Sequence, residues 1–403
     1  MNNKSKSTPL YLIFFLTYLG YYVVLLFLFS AGLSKLSRAI TIPLRLFITV
    51  VFLYFIFNNW TRIKIKWQTQ LFLFFSFFYL VRIVLDEFFL EHYYLTSLEL
   101  FLYFFSFSII PFFTISVINI QKKELNFIAK AFVSSSIIFS VLAAFIYGKY
   151  IGKVRRLTST TADEDVISPL ALSYCASLVI GFLVSYLIYN KVPIYVKYLS
   201  LLAIGFSVVP FFLGASRGGI FAIFIPFLLM LLNGGNLVNQ LGKTLFVFVI
   251  SIFILIYLDS VLQSGLLERF TNTSDNIEKG SNEAIRVEIW NSSINQFLNN
   301  PFFGDKLRVN GWGGYPHNII IESLQTMGII GFIPLLILII NSFKIAFSIF
   351  RYNKNYAWIS IIFIQAFLQH IFSGAIYTAS WLWTIMALLF SIDQLLKRSL
   401  NED

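Results

Sequence analysis

The chain has 403 residues, of which 58% are hydrophobic and only 12% are charged, and its formal net charge is +11. Soluble globular domains are about half apolar and about a quarter charged, so this composition excludes an ordinary soluble enzyme. The apolar residues form blocks of about 20, long enough for a helix to cross roughly 30 Å of hydrocarbon. Because backbone groups in lipid must be hydrogen-bonded within their own segment, the sequence predicts an all-α integral membrane protein.

The apolar blocks predict about twelve transmembrane helices. In chain order their expected bounds are 9–30, 40–57, 69–86, 95–118, 126–147, 169–189, 195–213, 219–232, 243–258, 318–340, 356–371 and 374–391. Nine of these helices fall in 1–258 and three in 318–403, and 259–317 is a long extracytoplasmic (periplasmic) loop. We interpret the first block as a retained helix, because it is longer than a typical signal segment and many more spans follow.

The distribution of charge predicts which loops face the cytoplasm. If the N-terminus is inside, the inside loops carry many more basic than acidic residues, for example around Lys64, Lys122 and Lys354. This is the bias that the positive-inside rule describes. We therefore expect both termini in the cytoplasm and the long loop outside. The net positive charge then reflects anchoring at the cytoplasmic leaflet and requires no nucleic-acid partner.

The long loop is predicted to contain an amphipathic helix over 282–298. Its apolar side chains share one helical face, at Val287, Trp290, Ile294, Phe297 and Leu298. Such a helix is expected to lie on the membrane surface. Asn300 and Pro301 end it, and the glycines that follow predict turns.

The first candidate for chemistry is Ser216-Arg217-Gly218, at the outer end of the seventh predicted span. A charge at this depth is costly unless it faces a polar cavity or a ligand. Flanking glycines allow a tight turn whose N–H groups can bind an anion beside the guanidinium. The alternative is an arginine whose head group reaches the membrane interface.

Two further candidates lie in and after the long loop. Arg286 precedes Trp290 by one helical turn, and its head group can face a site or lipid phosphates. Pro316 suits a first helical turn, which would place His317 at the positive end of a helix dipole that favours neutral imidazole. A neutral histidine with a pKa near about 6.5 is a credible proton acceptor, although a lone histidine at a membrane edge is more often structural.

In this order, the segments resemble the O-antigen ligase and O-antigen polymerase superfamily. The matching pieces are Ser216-Arg217-Gly218, Arg286 to Trp290, Asn300-Pro301-Phe302-Phe303-Gly304, and His317-Asn318 to Glu322 with Gly328 and Gly331. The resemblance implies glycosyl transfer at the outer face of the bacterial cytoplasmic (inner) membrane, from a glycan carried on undecaprenyl pyrophosphate.

The resemblance also implies roles for individual residues. Arg217 and Arg286 would stabilise the departing pyrophosphate, because the planar guanidinium suits phosphate oxygens, and His317 would accept the proton of the attacking sugar hydroxyl. The residues expected to contact substrate are Ser216, Gly218, Trp290, Tyr315, Asn318 and Glu322.

The expected partners are lipids and glycans. Donor and acceptor would both be glycans linked to undecaprenyl pyrophosphate in the bilayer, and a chain-length regulator and a flippase are candidate protein partners. No metal or other cofactor is expected if the arginines neutralise the leaving group. Asp163-Glu164-Asp165 has the form of a metal-binding motif in metal-dependent transferases, but it lies in a short charged loop.

Three functions remain open on the sequence. We favour a polymerase, since chains rich in Phe and Ile are common among strain-variable sugar polymerases. A ligase would instead transfer the glycan to the lipid A core, and the motifs do not separate the two. A secondary transporter or flippase would use ionisable residues in or near the spans as a polar path, although no repeated halves are evident. These residues are Arg45, Arg82, Asp86, Glu99, Glu322 and His370.

Overall fold

The protein is built from packed α-helices. The computed structural model describes residues 8–33, 37–89, 93–154, 157, 167–232, 237–268 and 282–402. In chain order the helices are α1 Thr8–Ser30, α2 Ser37–Asn58, α3 Trp67–Phe88, α4 Ser97–Ser116, α5 Lys122–Tyr147, α6 Pro169–Tyr189, α7 Ile194–Gly214, α8 Arg217–Leu232, α9 Leu237–Leu262, α10 Asn282–Asn299, α11 Ile319–Tyr352, α12 Ala357–Phe372 and α13 Ser380–Glu402.

Eight helices of the described residues are long and apolar enough to cross a membrane. They coincide with eight of the predicted spans, which makes the chain an all-α, multi-pass membrane protein. The other four predicted spans, 69–86, 219–232, 243–258 and 374–391, also fall on helices, namely α3, α8, α9 and α13. That these four cross the bilayer as well, giving twelve spans, stays a prediction.

Two predicted spans differ from the observed helices. The span expected at 318–340 is the first part of α11, which continues to Tyr352 and contains a non-helical residue at Gly328. The span expected from 374 begins only at Ser380, because Gly374 has a positive φ and Ile376–Thr378 form a short 3₁₀ turn.

Polar contacts join the predicted cytoplasmic loops at one end of the helices. Arg62 donates to both carboxylate oxygens of Glu124, at 2.8 and 2.9 Å, and to the carbonyl of Asn119 at 2.6 Å. Lys66 donates to the carbonyl of Phe390 at 2.8 Å. These loops therefore share one face of the protein, as the charge distribution predicted. That this face is cytoplasmic stays a prediction.

The turn 300–304 is inserted into the break of α11. Gly328 has φ 61° and ψ −162°, so the following N–H groups lose their helical acceptors. Ile329 donates instead to the carbonyl of Pro301 at 2.8 Å, and Ile330 to that of Phe302 at 3.2 Å. The loop is thus hydrogen-bonded into a transmembrane helix.

Side chains of α3 hold the same loop from the other side. Arg82 donates to the carbonyls of Thr326 at 2.9 Å and Phe303 at 3.0 Å. Asp86 accepts from the N–H of Leu307 at 2.7 Å. The charges of Arg82 and Asp86 therefore serve to anchor the loop.

Helix α10 packs against the protein through one face and exposes an apolar stripe on another. Ile289, Ser293 and Gln296 are buried, whereas Val287, Ile294 and Leu298 are exposed. The exposed stripe suits a helix on the membrane surface, and this position stays a prediction.

Candidate functional site

The hairpin between α7 and α8 is tight, as predicted. The flanking glycines were expected to allow the turn, but they do not supply its left-handed residue. The left-handed residue of the turn is Ala215, with φ 41°. The hydroxyl of Ser216 accepts from the N–H of Gly219 at 3.4 Å, which caps α8. Gly218 is needed for packing, because a Cβ there would overlap the hydroxyl of Tyr174. The glycine thus allows α8 to approach α6 closely.

Tyr174 of α6 connects the hairpin to the loop, and sequence analysis did not find it. Its buried hydroxyl lies next to Ser216 and has no well-oriented hydrogen-bond partner among the described residues. The same hydroxyl lies within electrostatic range of Arg286. The sequence does not single it out, because the same span also carries Tyr186 and Tyr189 and the chain has 21 tyrosines.

Arg286 is half-buried on α10, close to the segment that precedes α11. The half-buried side chain lies within electrostatic range of Tyr174, Tyr315 and His317. Arg217 is half-buried at the first position of α8, directly after Ser216. Arg286 and Ser216, the residue before Arg217, therefore both lie near the hydroxyl of Tyr174.

Trp290 fastens α10 to the segment that precedes His317. Its indole N–H donates to the carbonyl of Pro316 at 2.8 Å. Because Arg286 lies one turn earlier on the same helix, this bond fixes Arg286 relative to His317.

His317 is held in an unusual backbone conformation just before α11. It has φ 58°, which is uncommon for residues other than glycine although histidine adopts it more readily than most, and residues held in this way cluster at active sites. The side chain of Asn318 accepts from the N–H groups of Ile320 at 2.9 Å and Ile321 at 3.2 Å, so Asn318 is the N-cap. The expectation that Pro316 lies in the first helical turn is therefore wrong, because the helix begins after this cap.

The imidazole of His317 is neutral at pH 7 but is a weaker base than predicted. Its Nδ1 is buried and has no hydrogen-bond partner among the described residues. Burial and the positive charge of Arg286 lower the pKa of His317 to about 4. The ring of Tyr315 lies 4.3 Å from the imidazole, centroid to centroid.

Glu322, a predicted substrate contact, lies in the interior at 1% exposure. Its carboxylate accepts from the hydroxyl of Tyr79 at 3.1 Å and from the N–H of Ile376 at 2.9 Å. Both oxygens are therefore occupied, and Glu322 ties α3 and the 376–378 turn to α11.

Three tyrosines from distant parts of the chain meet beside His317. The ring of Tyr315 lies 6.0 Å from that of Tyr377 and 6.4 Å from that of Tyr94. The hydroxyls of Tyr94 and Tyr377 are hydrogen-bonded to each other. These aromatic contacts depend on tertiary structure and were missed by sequence analysis.

Five of the six residues that suggested a transport path have local partners, and the sixth, Arg45, donates to the hydroxyl of Tyr21 at 3.1 Å. Glu99 accepts from the N–H of Thr96 at 3.0 Å and caps α4. Nδ1 of His370 lies 2.7 Å from the carbonyl of Ala366. With Arg82, Asp86 and Glu322 also engaged, these side chains provide no support for a polar path through the described residues.

One sequence candidate, the Asp163–Asp165 motif, lies outside the described residues.

Comparison with protein families identifies one match in this region. The family model described as O-antigen ligase matches residues 202–336. Comparison with curated proteins gives no match. The matched range contains the hairpin, Arg286, His317 and Glu322. It supports the O-antigen ligase and polymerase superfamily without distinguishing polymerase from ligase, and it gives no support to a transporter.

Proposed function

We propose that the protein transfers a glycan from undecaprenyl pyrophosphate to a sugar hydroxyl at the outer face of the cytoplasmic membrane, and that it acts as a polymerase of lipid-linked repeat units. The observation that carries this proposal is that Arg286 lies within electrostatic range of both His317 and Tyr174, whose hydroxyl is next to Ser216 of the hairpin. The family match over 202–336 supports the same chemistry.

In this proposal Arg286 and Arg217 receive the leaving group. The attacking hydroxyl forms a bond to the anomeric carbon of the donor, and the bond from that carbon to the phosphate oxygen breaks. The diphosphate leaves with additional negative charge, which two guanidinium groups stabilise in a water-poor site. No metal ion is needed for that role.

The donor's lipid tail is assigned to an apolar groove next to the hairpin. A cavity of about 440 Å³ lies between α6, α7, α8 and α9, and Phe211, Phe212, Phe224 and Leu255 line it. Phe211 and Phe212 are only a few residues before Ser216. A polyprenyl chain held here would bring its diphosphate to the hairpin without leaving the apolar phase.

His317 accepts the proton of the attacking hydroxyl. Its low pKa would make it a poor base in the empty protein. The donor diphosphate would offset the charge of Arg286, which is one of the two causes of the lowered pKa. Donor binding would therefore raise the pKa of His317 and strengthen the base when both substrates are present.

Deletion of the gene, followed by electrophoresis of the surface polysaccharide, tests the proposal. Loss of a polymerase leaves surface glycolipid with a single repeat unit and no longer ladder. Loss of a ligase leaves a bare lipid A core, with polymer accumulating on the undecaprenyl carrier. An unchanged ladder together with impaired movement of a solute would contradict both enzyme functions.

A further inference from the structure

A separate cavity borders the candidate site at Tyr315. It has a volume of about 390 Å³ and is lined by α1, α2, α4 and the 377–381 segment, within the roughly 300–1,000 Å³ of small-ligand sites. Its lining includes Tyr21, Arg45, Tyr103, Tyr315 and Tyr377. We call it the Arg45 cavity.

Arg45 carries a positive charge into this cavity, and among the described residues no negative charge is paired with it. One guanidinium nitrogen donates to the hydroxyl of Tyr21 at 3.1 Å, and the group faces the rings of Tyr103 at 5.2 Å and Phe107 at 5.0 Å. Its Nε is buried and has no hydrogen-bond partner in the described part of the chain. Within the described parts of the chain, no carboxylate forms an ion pair with Arg45. A charge held this way within a membrane helix indicates an anionic ligand.

An aromatic wall joins Arg45 to the proposed base. The ring of Tyr103 stacks on that of Tyr377 with centroids 6.3 Å apart, and Tyr377 lies 6.0 Å from Tyr315. Tyr315 in turn contacts His317. A ligand along this wall therefore reaches from the guanidinium of Arg45 towards the imidazole.

The Arg45 cavity and the proposed donor site use different helices. Tyr174, the Ser216 hairpin and Arg286 belong to α6, α8 and α10, and the apolar groove lies among α6–α9. The Arg45 cavity belongs to α1, α2, α4 and the start of α13. Since the donor occupies the first set, the second set is available to the other substrate.

We propose that the Arg45 cavity binds an acidic sugar residue of the acceptor, with its carboxylate or phosphate substituent on Arg45. The apolar C–H face of the sugar ring packs on Tyr103 and Tyr377, and tyrosine hydroxyls can bond its hydroxyls. This inference rests on the proposed function, because it assigns the acceptor whose hydroxyl His317 deprotonates.

Binding to the purified full chain in detergent micelles tests the assignment. Trp381 lines the cavity, so its fluorescence reports occupancy, and Trp381→Phe identifies its signal. The probes are glucuronic acid, glucose 6-phosphate, glucose and inorganic pyrophosphate. We expect at least one acidic sugar to bind tenfold or more tightly than glucose, and the stronger of the two acidic probes identifies the substituent.

Variants of Arg45 test its role in binding, and a variant of Arg351 is the control. Arg45→Gln should weaken acidic-sugar binding at least tenfold, and Arg45→Lys should weaken it several-fold because the planar fork is lost. Arg351→Gln is the matched control, since Arg351 also faces an aromatic ring, that of Tyr352, at 5.2 Å, and it should bind as the unaltered protein does. Arg45→Lys keeps the charge and tests the proposal if Arg45→Gln does not fold.

Several outcomes would overturn the proposal. These are equal binding of glucose, acidic-sugar binding that is unchanged in both Arg45 variants, and binding of pyrophosphate alone, which would assign the cavity to a lipid diphosphate. His317→Ala separates this proposal from the proposed function, because it should abolish transfer while acidic sugars still bind. If acidic sugars do not bind but deletion of the gene still removes the ladder, the acceptor site is rejected and the proposed function is retained.

Discussion

The guanidinium of Arg286 acts on the imidazole of His317, although one belongs to α10 and the other precedes α11. The bond from the indole of Trp290 to the carbonyl of Pro316 holds the two segments together at 2.8 Å and so maintains this electrostatic effect. It couples the group that would receive the leaving diphosphate to the group that would accept the proton. Binding of a diphosphate to Arg286 would therefore change the basicity of His317.

The first prediction concerns the titration of His317. Because its pKa is about 4, diethyl pyrocarbonate, which modifies neutral imidazole, should react with His317 down to about pH 4 and lose reactivity below it. Arg286→Gln removes a repulsive charge, so the pKa should rise and reactivity should be lost at a higher pH. Mass spectrometry of the His317 peptide between about pH 3 and 8 provides the measurement.

Inorganic pyrophosphate provides the matched test of the coupling. It should shift the titration of His317 to higher pH in the unaltered protein and much less in Arg286→Gln. The depressed pKa also makes the stability of the fold depend on pH. The contribution of neutral His317 to the free energy of unfolding is fully present above about pH 6.5 and is lost as pH falls towards about 4. Identical titrations with and without Arg286 would contradict the coupling.

The second prediction concerns the arginines in chain growth. Arg286→Gln and Arg217→Lys should each reduce polymer formation by about 10²–10³-fold, because the first removes the positive charge and the second replaces the guanidinium fork by a point charge. Ladder length in a complemented deletion strain measures the effect, with immunoblots showing equal protein in the membrane. Arg351→Gln should leave the ladder intact. A normal ladder from Arg217→Lys would show that Arg217 does not act by bidentate hydrogen bonding to the diphosphate.

Sequence analysis predicted the helical class and most helix positions, because hydropathy is local. It also found Arg286 and His317 as candidates. It could not find Tyr174 or Tyr377, since their positions depend on contacts between distant helices. It could not show that Glu322 accepts from Tyr79 and Ile376, which are distant in the sequence, and the contact of Glu322 with substrate stays a prediction. The base strength of His317 was overestimated because burial cannot be read from spacing.

The third prediction concerns membrane topology. Cys175 is the single cysteine of the chain and is buried, so single cysteines can be introduced after Cys175→Ala. A cysteine at Lys64 should resist a membrane-impermeant thiol reagent in intact cells, and a cysteine at the exposed Trp312 should react. Labelling after permeabilisation shows that both thiols are accessible. The reverse pattern would place the candidate site on the cytoplasmic side.

The fourth prediction concerns the break in α11 that receives the 300–304 turn. Gly328 has a positive φ, and a Cβ there would overlap the carbonyl of Phe302 and the N–H of Gly304. Gly328→Ala should therefore displace the turn and cost about 1–3 kcal/mol. Because this turn precedes the segment that carries His317, transfer should fall as well.

Thermal unfolding in detergent and limited proteolysis of the 300–308 segment measure the effect of Gly328→Ala. Gly205→Ala is the matched control, since Gly205 lies in α7 and a Cβ there would meet nothing within 4 Å. The control should unfold at or above the temperature of the unaltered protein, because alanine favours a helix by about 1 kcal/mol over glycine. If Gly328→Ala resists proteolysis and unfolds as the control does, the turn is held by Arg82 and Asp86 of α3 and not by the break. The hydrogen bonds from Ile329 and Ile330 would then be dispensable for placing His317.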